Sequence, residues 1–236
     1  MSEFFAEGRW VGLEPGVWGG PDAMQAERFG AERIRCSSAW QMAQALVGKR
    51  YGQRGLQFKA LDSETPGLAS VRVLDGEQVV GALSVRMDGA EGLSADSVFP
   101  EVMADLRRNQ RLCEFTRLAV DGGTESKPVL ARLFHLAYLF AHRLEKAELM
   151  VFEVHPRPAA FYRRMLGVHL LADERLNPHV QAPAVLMGKP ASEIRSEIQL
   201  LGGRPELAAK ARSLYPLFYG ASEEARLLRD MQFGAL

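Results

Sequence analysis

Cysteine is nearly absent: Cys36 and Cys113 are the only two in 236 residues, far apart and without metal-type spacing. That excludes a disulfide framework and a zinc or haem motif, and it fits a reducing compartment. No apolar run approaches the roughly 18 residues of a membrane-spanning helix, and the N-terminus lacks the basic, apolar, small-residue order of a secretory signal, so the expected location is the cytoplasm. Net charge is also missing. Twenty-nine Lys and Arg balance twenty-nine Asp and Glu, so no global field recruits nucleic acid or an anionic membrane, and any basic patch is local. There is no internal repeat and no low-complexity tract. With 47% hydrophobic and 25% charged residues, the composition is that of a globular chain with one main domain and a small extension.

Residues 1–21 hold five Gly, two Pro and two Trp without a period, the pattern of an irregular arm. From Pro21 to about Arg50 the pattern is helical, with Ala39, Met42, Ala43, Leu46 and Val47 on one face. A strand is expected at 56–61. The clearest hairpin follows: Leu68 to Leu74, Asp75-Gly76, then Gln78 to Met87, where Asp-Gly supplies the positive φ angles of a tight turn. A loop at 89–97 and a short helix at 98–109 lead to a strand at 111–121. Pro128 suits a helix first turn, and the long helix after it carries apolar residues on more than one side, as a core helix does. Leu149 to Val154 is a short buried strand, and a helix from Ala159 ends at Gly167. Val168 to Leu171 and Ala184 to Met187 are two further strands. Residues 192–233 are expected to be helices broken by Gly202-Gly203 and Gly220.

The stretch Arg111 to Asp121 is the most informative. Leu112, Phe115, Leu118 and Val120 argue for a sheet interior, yet Glu114 and Arg117 lie among them. Buried charges need a partner or a task. On a regular strand, residues three apart face opposite ways, so the two share a pocket only if the strand is bulged between them.

Several short motifs occur in one order: Gly81 to Asp88 with Arg86, then Gly92-Leu93-Ser94-Ala95-Asp96, then Cys113-Glu114-Phe115-Thr116-Arg117-Leu118-Ala119-Val120, then Val154-His155-Pro156-Arg157 followed by Ala159-Ala160-Phe161-Tyr162-Arg163-Arg164-Met165-Leu166-Gly167-Val168. Together they resemble the GNAT acyltransferase superfamily. More narrowly they resemble the bacterial long-chain N-acyl amino acid synthases, relatives of the acyl-homoserine-lactone autoinducer synthases. The likeness spans roughly residues 40–190. It implies an α/β fold with a mixed, mostly antiparallel sheet and helices on both faces. The boundaries expected are an arm at 1–21, a GNAT-like domain at 22–190 and a helical extension at 191–236.

The resemblance also implies chemistry: transfer of a fatty acyl group from a thioester to the amine of an amino acid or similar small molecule. An α-amino group is mostly charged at neutral pH, so a base is useful, and Glu114 is the candidate. Arg117 either holds Glu114 ionised or grips an acceptor carboxylate. Backbone N–H groups at Leu118, Ala119 and Val120 are candidates for the oxyanion, and Tyr162 for protonating the leaving thiolate. Arg86 is a candidate substrate contact. The turn 122–128 holds Glu125 and Pro128 and makes a poor pyrophosphate cradle. It suits the single phosphate of an acyl carrier protein's phosphopantetheine arm, met by Lys127 or Arg132. No tightly bound cofactor is expected. Arg157, Arg163 and Arg164 are candidates for a basic rim facing an acidic carrier. Cys113 fits a buried small hydrophobe, and His155 a structural role. Two alternatives remain at this stage: a coenzyme A dependent acetyltransferase and a non-catalytic acyl-binding module. For residues 191–236 the alternatives are ordinary packing, a lid, a dimer arm or an interfacial helix touching lipid-like products.

Overall fold

A computed structural model describes residues 28–53, 55, 65–122 and 126–233. The arm at 1–21, the strand at 56–61 and the middle of the turn at 122–128 lie outside the described residues. Seven strands form one sheet: β1 (Phe29–Arg33), β2 (Leu68–Asp75), β3 (Gln78–Met87), β4 (Leu112–Val120), β5 (Leu149–Val154), β6 (His169–Asn177) and β7 (Ala182–Pro190). Their order is β1-β2-β3-β4-β5-β7-β6, and β4–β5 is the one parallel pair within it. The Asp75–Gly76 hairpin forms as the sequence predicts, with Gly76 at φ 60°. The helix expected from Pro21 is a correction: Phe29–Arg33 pairs with β2 as an edge strand, and α1 spans Ser37–Gly52. In so short a strand, apolar spacing does not separate the two periods.

Helices cover both faces. On one lie α1 and α2 (Pro100–Arg107). Ala43, Leu46 and Val47 of α1 meet Ala82 and Ala119, and Val98, Phe99 and Met103 meet Leu112, Val151 and Leu186. On the other lie α3 (Ser126–Tyr138) and α4 (Pro156–Leu166), packed in the main core with Val85, Phe115, Phe152 and Met187. The close approach of α3 depends on Gly81, where a Cβ would come within 2.5 Å of Val129. Gly167 ends α4 in the left-handed region at φ 63°.

The C-terminal segment enters this same core. Ile194 and Ile198 of α5 (Ala191–Leu201), then, after the short α6 (Ala208–Ala211), Leu214, Tyr215, Phe218 and Tyr219, then Leu227 and Met231 of α7 (Ala221–Phe233) are all buried there. Polar contacts fix its register. Leu214 donates its N–H to the Met165 carbonyl, and the Tyr215 hydroxyl donates to the Leu166 carbonyl, each at 2.9 Å. His135 of α3, fully buried, accepts the Tyr219 N–H on Nδ1 at 2.9 Å. Its proton therefore sits on Nε2, 3.3 Å from Glu224 of α7, and Arg143 closes the group by pairing with Glu224.

Candidate active site

The parallel pairing of β4 with β5 lasts only three residues: Leu112↔Leu149, Cys113↔Met150 and Glu114↔Val151. Both strands run on, β4 to Val120 and β5 to Val154. Beyond Glu114 they splay, and the backbone groups of β4 that face β5 have no strand to bond. The splay coincides with a bulge on the other side of β4. Ala82 pairs with Ala119 but Ser84 pairs with Thr116, so Arg117 and Leu118 together oppose Leu83. Arg117 sits at φ 56°.

The bulge decides where the two charges go. Glu114 lies opposite Arg86, on the face that carries Ala82 and α1. Past the bulge the alternation is reset, Ala119 returns to that face, and the Arg117 side chain reaches Gln44 of α1 at 3.4 Å. Glu114 and Arg117 therefore share one face, as a cleft requires and as an unbulged strand forbids. No ion pair between them is present among the described contacts.

Glu114 is 2% exposed. Its Oε2 accepts the Ser94 N–H at 2.6 Å. Burial pushes its pKa up to about 7, and the neighbouring Glu153 carboxylate adds to the rise; the Ser94 hydrogen bonds and the Arg86 charge oppose it. A carboxylic acid that titrates near neutrality beside a cleft is suited to accepting a proton.

Ser94 is delivered by the 88–97 loop, which Arg107 of α2 holds. The guanidinium donates to Asp88 at 2.6 Å and to Asp96 at 2.8 Å, and Asp96 also accepts the Leu93 N–H at 2.7 Å. Arg107→Ala removes charge-assisted bonds to two carboxylates and is expected to cost about 1–3 kcal/mol. Urea denaturation of the variant measures this loss, and a change below about 0.5 kcal/mol would show that the loop keeps its position without the clamp.

The remaining residues expected from the sequence divide. Arg86 lies across from Glu114 and pairs with Glu91 at 3.4 Å. Leu118 and Val120 pack toward the α3 face and Ala119 toward α1. Tyr162 is 4% exposed, on the α3 side of the splay, with its ring edge-on to Phe152 and Phe134. Lys127 stands in the first turn of α3. Arg132 lies deeper. It is 6% exposed and donates to the Phe29 carbonyl at 3.2 Å, beneath the Tyr219 ring. Five residues on from Lys127, about 140° round the helix, it points into the core, away from the phosphate expected at 122–127. Cys113 is fully buried, and desolvation pushes its thiol well up. His155 caps α4, accepting the Arg157 N–H at 3.2 Å.

The sequence reading missed Ser94 and Arg107 as parts of the site, and it missed Glu153 of β5. Glu153 is the one charge in Leu-Met-Val-Phe-Glu-Val, the same signal that singled out Glu114.

On the opposite face the splay has an apolar floor. Phe115 and Phe152, each the first residue past the last β4–β5 pair, line a cavity with Phe134, Met150, Ile194 and Tyr215. Its volume of ≈ 30 Å³ is room for little more than one water.

A family model described as N-acyl amino acid synthase FeeM matches residues 42–189. No curated protein sequence matches. Among solved structures, FeeM, an N-acyl amino acid synthase from uncultured soil microbes, is similar over 72% of this chain and 94% of its own, at 25% identity and a TM-score of 0.65. The AHL synthase LasI is similar over 69% of this chain and 89% of its own, at 12% identity and 0.52. An acyl-CoA N-acyltransferase from Pseudomonas aeruginosa is similar over 68% of this chain and 99% of its own, at 11% identity and 0.51. The last two share the fold alone.

Proposed function

The chain belongs to the N-acyl amino acid synthase family typified by FeeM, and as an acyltransferase of that family we propose that it joins a long-chain fatty acyl group, presented as a thioester on an acyl carrier protein, to the amine of an amino acid. The observation that carries this reading is Glu114, buried with its carboxylate on the Ser94 N–H at the point where β4 leaves β5. The thioester lies in the splay, with its carbonyl oxygen toward the unpaired β4 backbone at Leu118, Ala119 and Val120. Glu114 withdraws a proton from the attacking nitrogen. Arg117, on the same face, is placed to take the acceptor's carboxylate, and Arg86 borders the same pocket. Tyr162 supplies the proton for the leaving thiolate.

The apolar floor supports a hydrocarbon donor. At its present size it accommodates an acyl chain only when Phe115, Met150 and Phe152 shift, of which the unbranched Met150 adapts most readily. Lys127 at the start of α3 is the residue for the donor's phosphate, and Arg157, Arg163 and Arg164 of α4 form the rim for an acidic carrier working in the cytoplasm.

The test is to incubate the protein with palmitoyl carrier protein, palmitoyl-coenzyme A and acetyl-coenzyme A, each with a panel of amino acids, and to read the products by mass spectrometry. N-palmitoyl amino acids formed fastest from the carrier are expected. Transfer confined to acetyl-coenzyme A would replace this reading with an acetyltransferase, and acyl binding without any product would replace it with a non-catalytic acyl-binding module.

A further inference from the structure

A second carboxylate stands in the splay. Glu153 of β5 follows Val151, the residue paired with Glu114, by two positions, so it projects to the same face as Glu114 from the opposite wall. Two strand rises and one strand spacing would set the two Cα atoms about 8 Å apart, and the splay adds to that distance. Asn177, the last residue of β6, donates its side-chain N–H to Glu153 Oε1. Asn177 is itself fixed, its Oδ1 accepting the His179 N–H at 2.8 Å and the Val180 N–H at 3.4 Å from the β6–β7 turn. The other oxygen, Oε2, is buried and has no hydrogen-bond partner among the described residues.

A buried, unpartnered carboxylate oxygen is uncommon and costs roughly 1–3 kcal/mol, more when charged. Here it is held from one side, left bare on the other, and set across a cleft from a second acid. The complement of such a site is a cation with several N–H donors. The reaction brings one, since an amino acid acceptor arrives as an ammonium ion.

We propose that Glu153 is a second acid–base residue of the acyl transfer, its free Oε2 receiving the acceptor's ammonium group and taking the first of the two protons it must lose. This rests on the acyl-transfer reading above. The first proton passes from nitrogen to Glu153 and frees the lone pair. The nitrogen attacks the thioester carbon, the C–N bond forms, and the carbonyl π electrons move to oxygen. The second proton passes to Glu114. The C=O bond re-forms as the C–S bond breaks, and the sulfur leaves as a thiol with a proton from Tyr162, which Glu114 replaces through water. Glu153 returns its proton to water, so each ammonium and thioester yield one amide, one thiol and one proton. The titratable or charged groups facing Glu153 are Glu114 on β4, with Arg86 behind it on β3, and His179 in the β6–β7 turn. Desolvation raises the Glu153 pKa, against the Asn177 hydrogen bond and the His179 charge.

The test compares the best amino acid acceptor with hydroxylamine, which reaches the site as a neutral nucleophile, in wild-type protein and in Glu153→Gln. In E153Q, kcat/KM for the amino acid is expected to fall about 10²-fold at pH 7, with the donor KM unchanged and hydroxylamine turnover within about threefold of wild type. Asn177→Ala keeps the carboxylate and removes its brace. It is expected to raise the acceptor KM while hydroxylamine is spared, and it provides the same discrimination if E153Q does not fold. Equal losses with both nucleophiles, or none with either, overturn the role of Glu153 while acyl transfer by wild type still stands. Failure of wild type to form any N-acyl amino acid overturns the parent reading and the role with it.

Discussion

Glu114→Gln is expected to lower kcat by about 10²–10⁴-fold while acyl-donor binding is retained. The substitution preserves shape and leaves an amide oxygen for the Ser94 N–H, so the loss reports proton acceptance. In the wild-type protein the carboxylate is pushed up to about 7 by burial and by Glu153. Its ionised form is the base, so kcat/KM should rise with pH through about 7 and level above it. The rise should vanish in the variant. Stability should move the other way. The folded carboxyl holds its proton up to about pH 7, whereas the unfolded one releases it near 4.3. Stability from this group is present below the unfolded value and lost as pH climbs through the folded one, a loss on the order of 3 kcal/mol. Gln cannot ionise, so urea denaturation of the variant should show a flatter profile between pH 5 and pH 8. Wild-type turnover at pH 7, or an unchanged acid limb, would remove Glu114 from catalysis.

A chain ended at Gly202 is not expected to fold. Such a chain loses Leu214, Tyr215, Phe218, Leu227 and Met231, all buried in the main core, and uncovers the surfaces of α3 and α4 beneath them. At about 1.5–3 kcal/mol for each large apolar side chain, the loss reaches roughly the whole stability of a domain. It also strips His135 of its acceptor and donor partners and the last carbonyls of α4 of the Leu214 and Tyr215 donors. Circular dichroism and proteolysis of the truncated chain test this. A cooperative melt within about 5 °C of the full chain would mean that residues 203–233 are an accessory layer.

The order of β2 to β5, α3 and α4 was legible because each has strong local signals: an Asp-Gly turn, a proline at a first turn, a glycine at a helix end. β1 was not. Five residues at a sheet edge owe their conformation to the partner strand, and Phe29-Gly30-Ala31-Glu32-Arg33 has no period of its own. Within the site, Glu114 and Arg117 stood out because charges interrupt an apolar strand. Their common orientation did not, since a bulge adds a residue without leaving a mark in composition. Glu153 carried the same mark as Glu114, at the end of a shorter strand. Ser94 acts through its backbone N–H, and Arg107 through a loop folded back from another element, so neither has a sequence signature. Arg132 stands five residues on from Lys127, about 140° round the helix, a turn of face that spacing alone did not assign to the core.

The φ of Arg117 has a consequence for engineering. A non-glycine residue in the left-handed region gives up about 1 kcal/mol, and Arg117→Gly recovers it at no steric cost while removing the weak 3.4 Å bond to Gln44 and the cation beside the pocket. A library of variants ranked by heat resistance alone would therefore retain glycine at this position. One ranked by turnover with amino acid acceptors would discard it. Running both selections on the same library would separate what residue 117 does for the strand from what it does for the substrate.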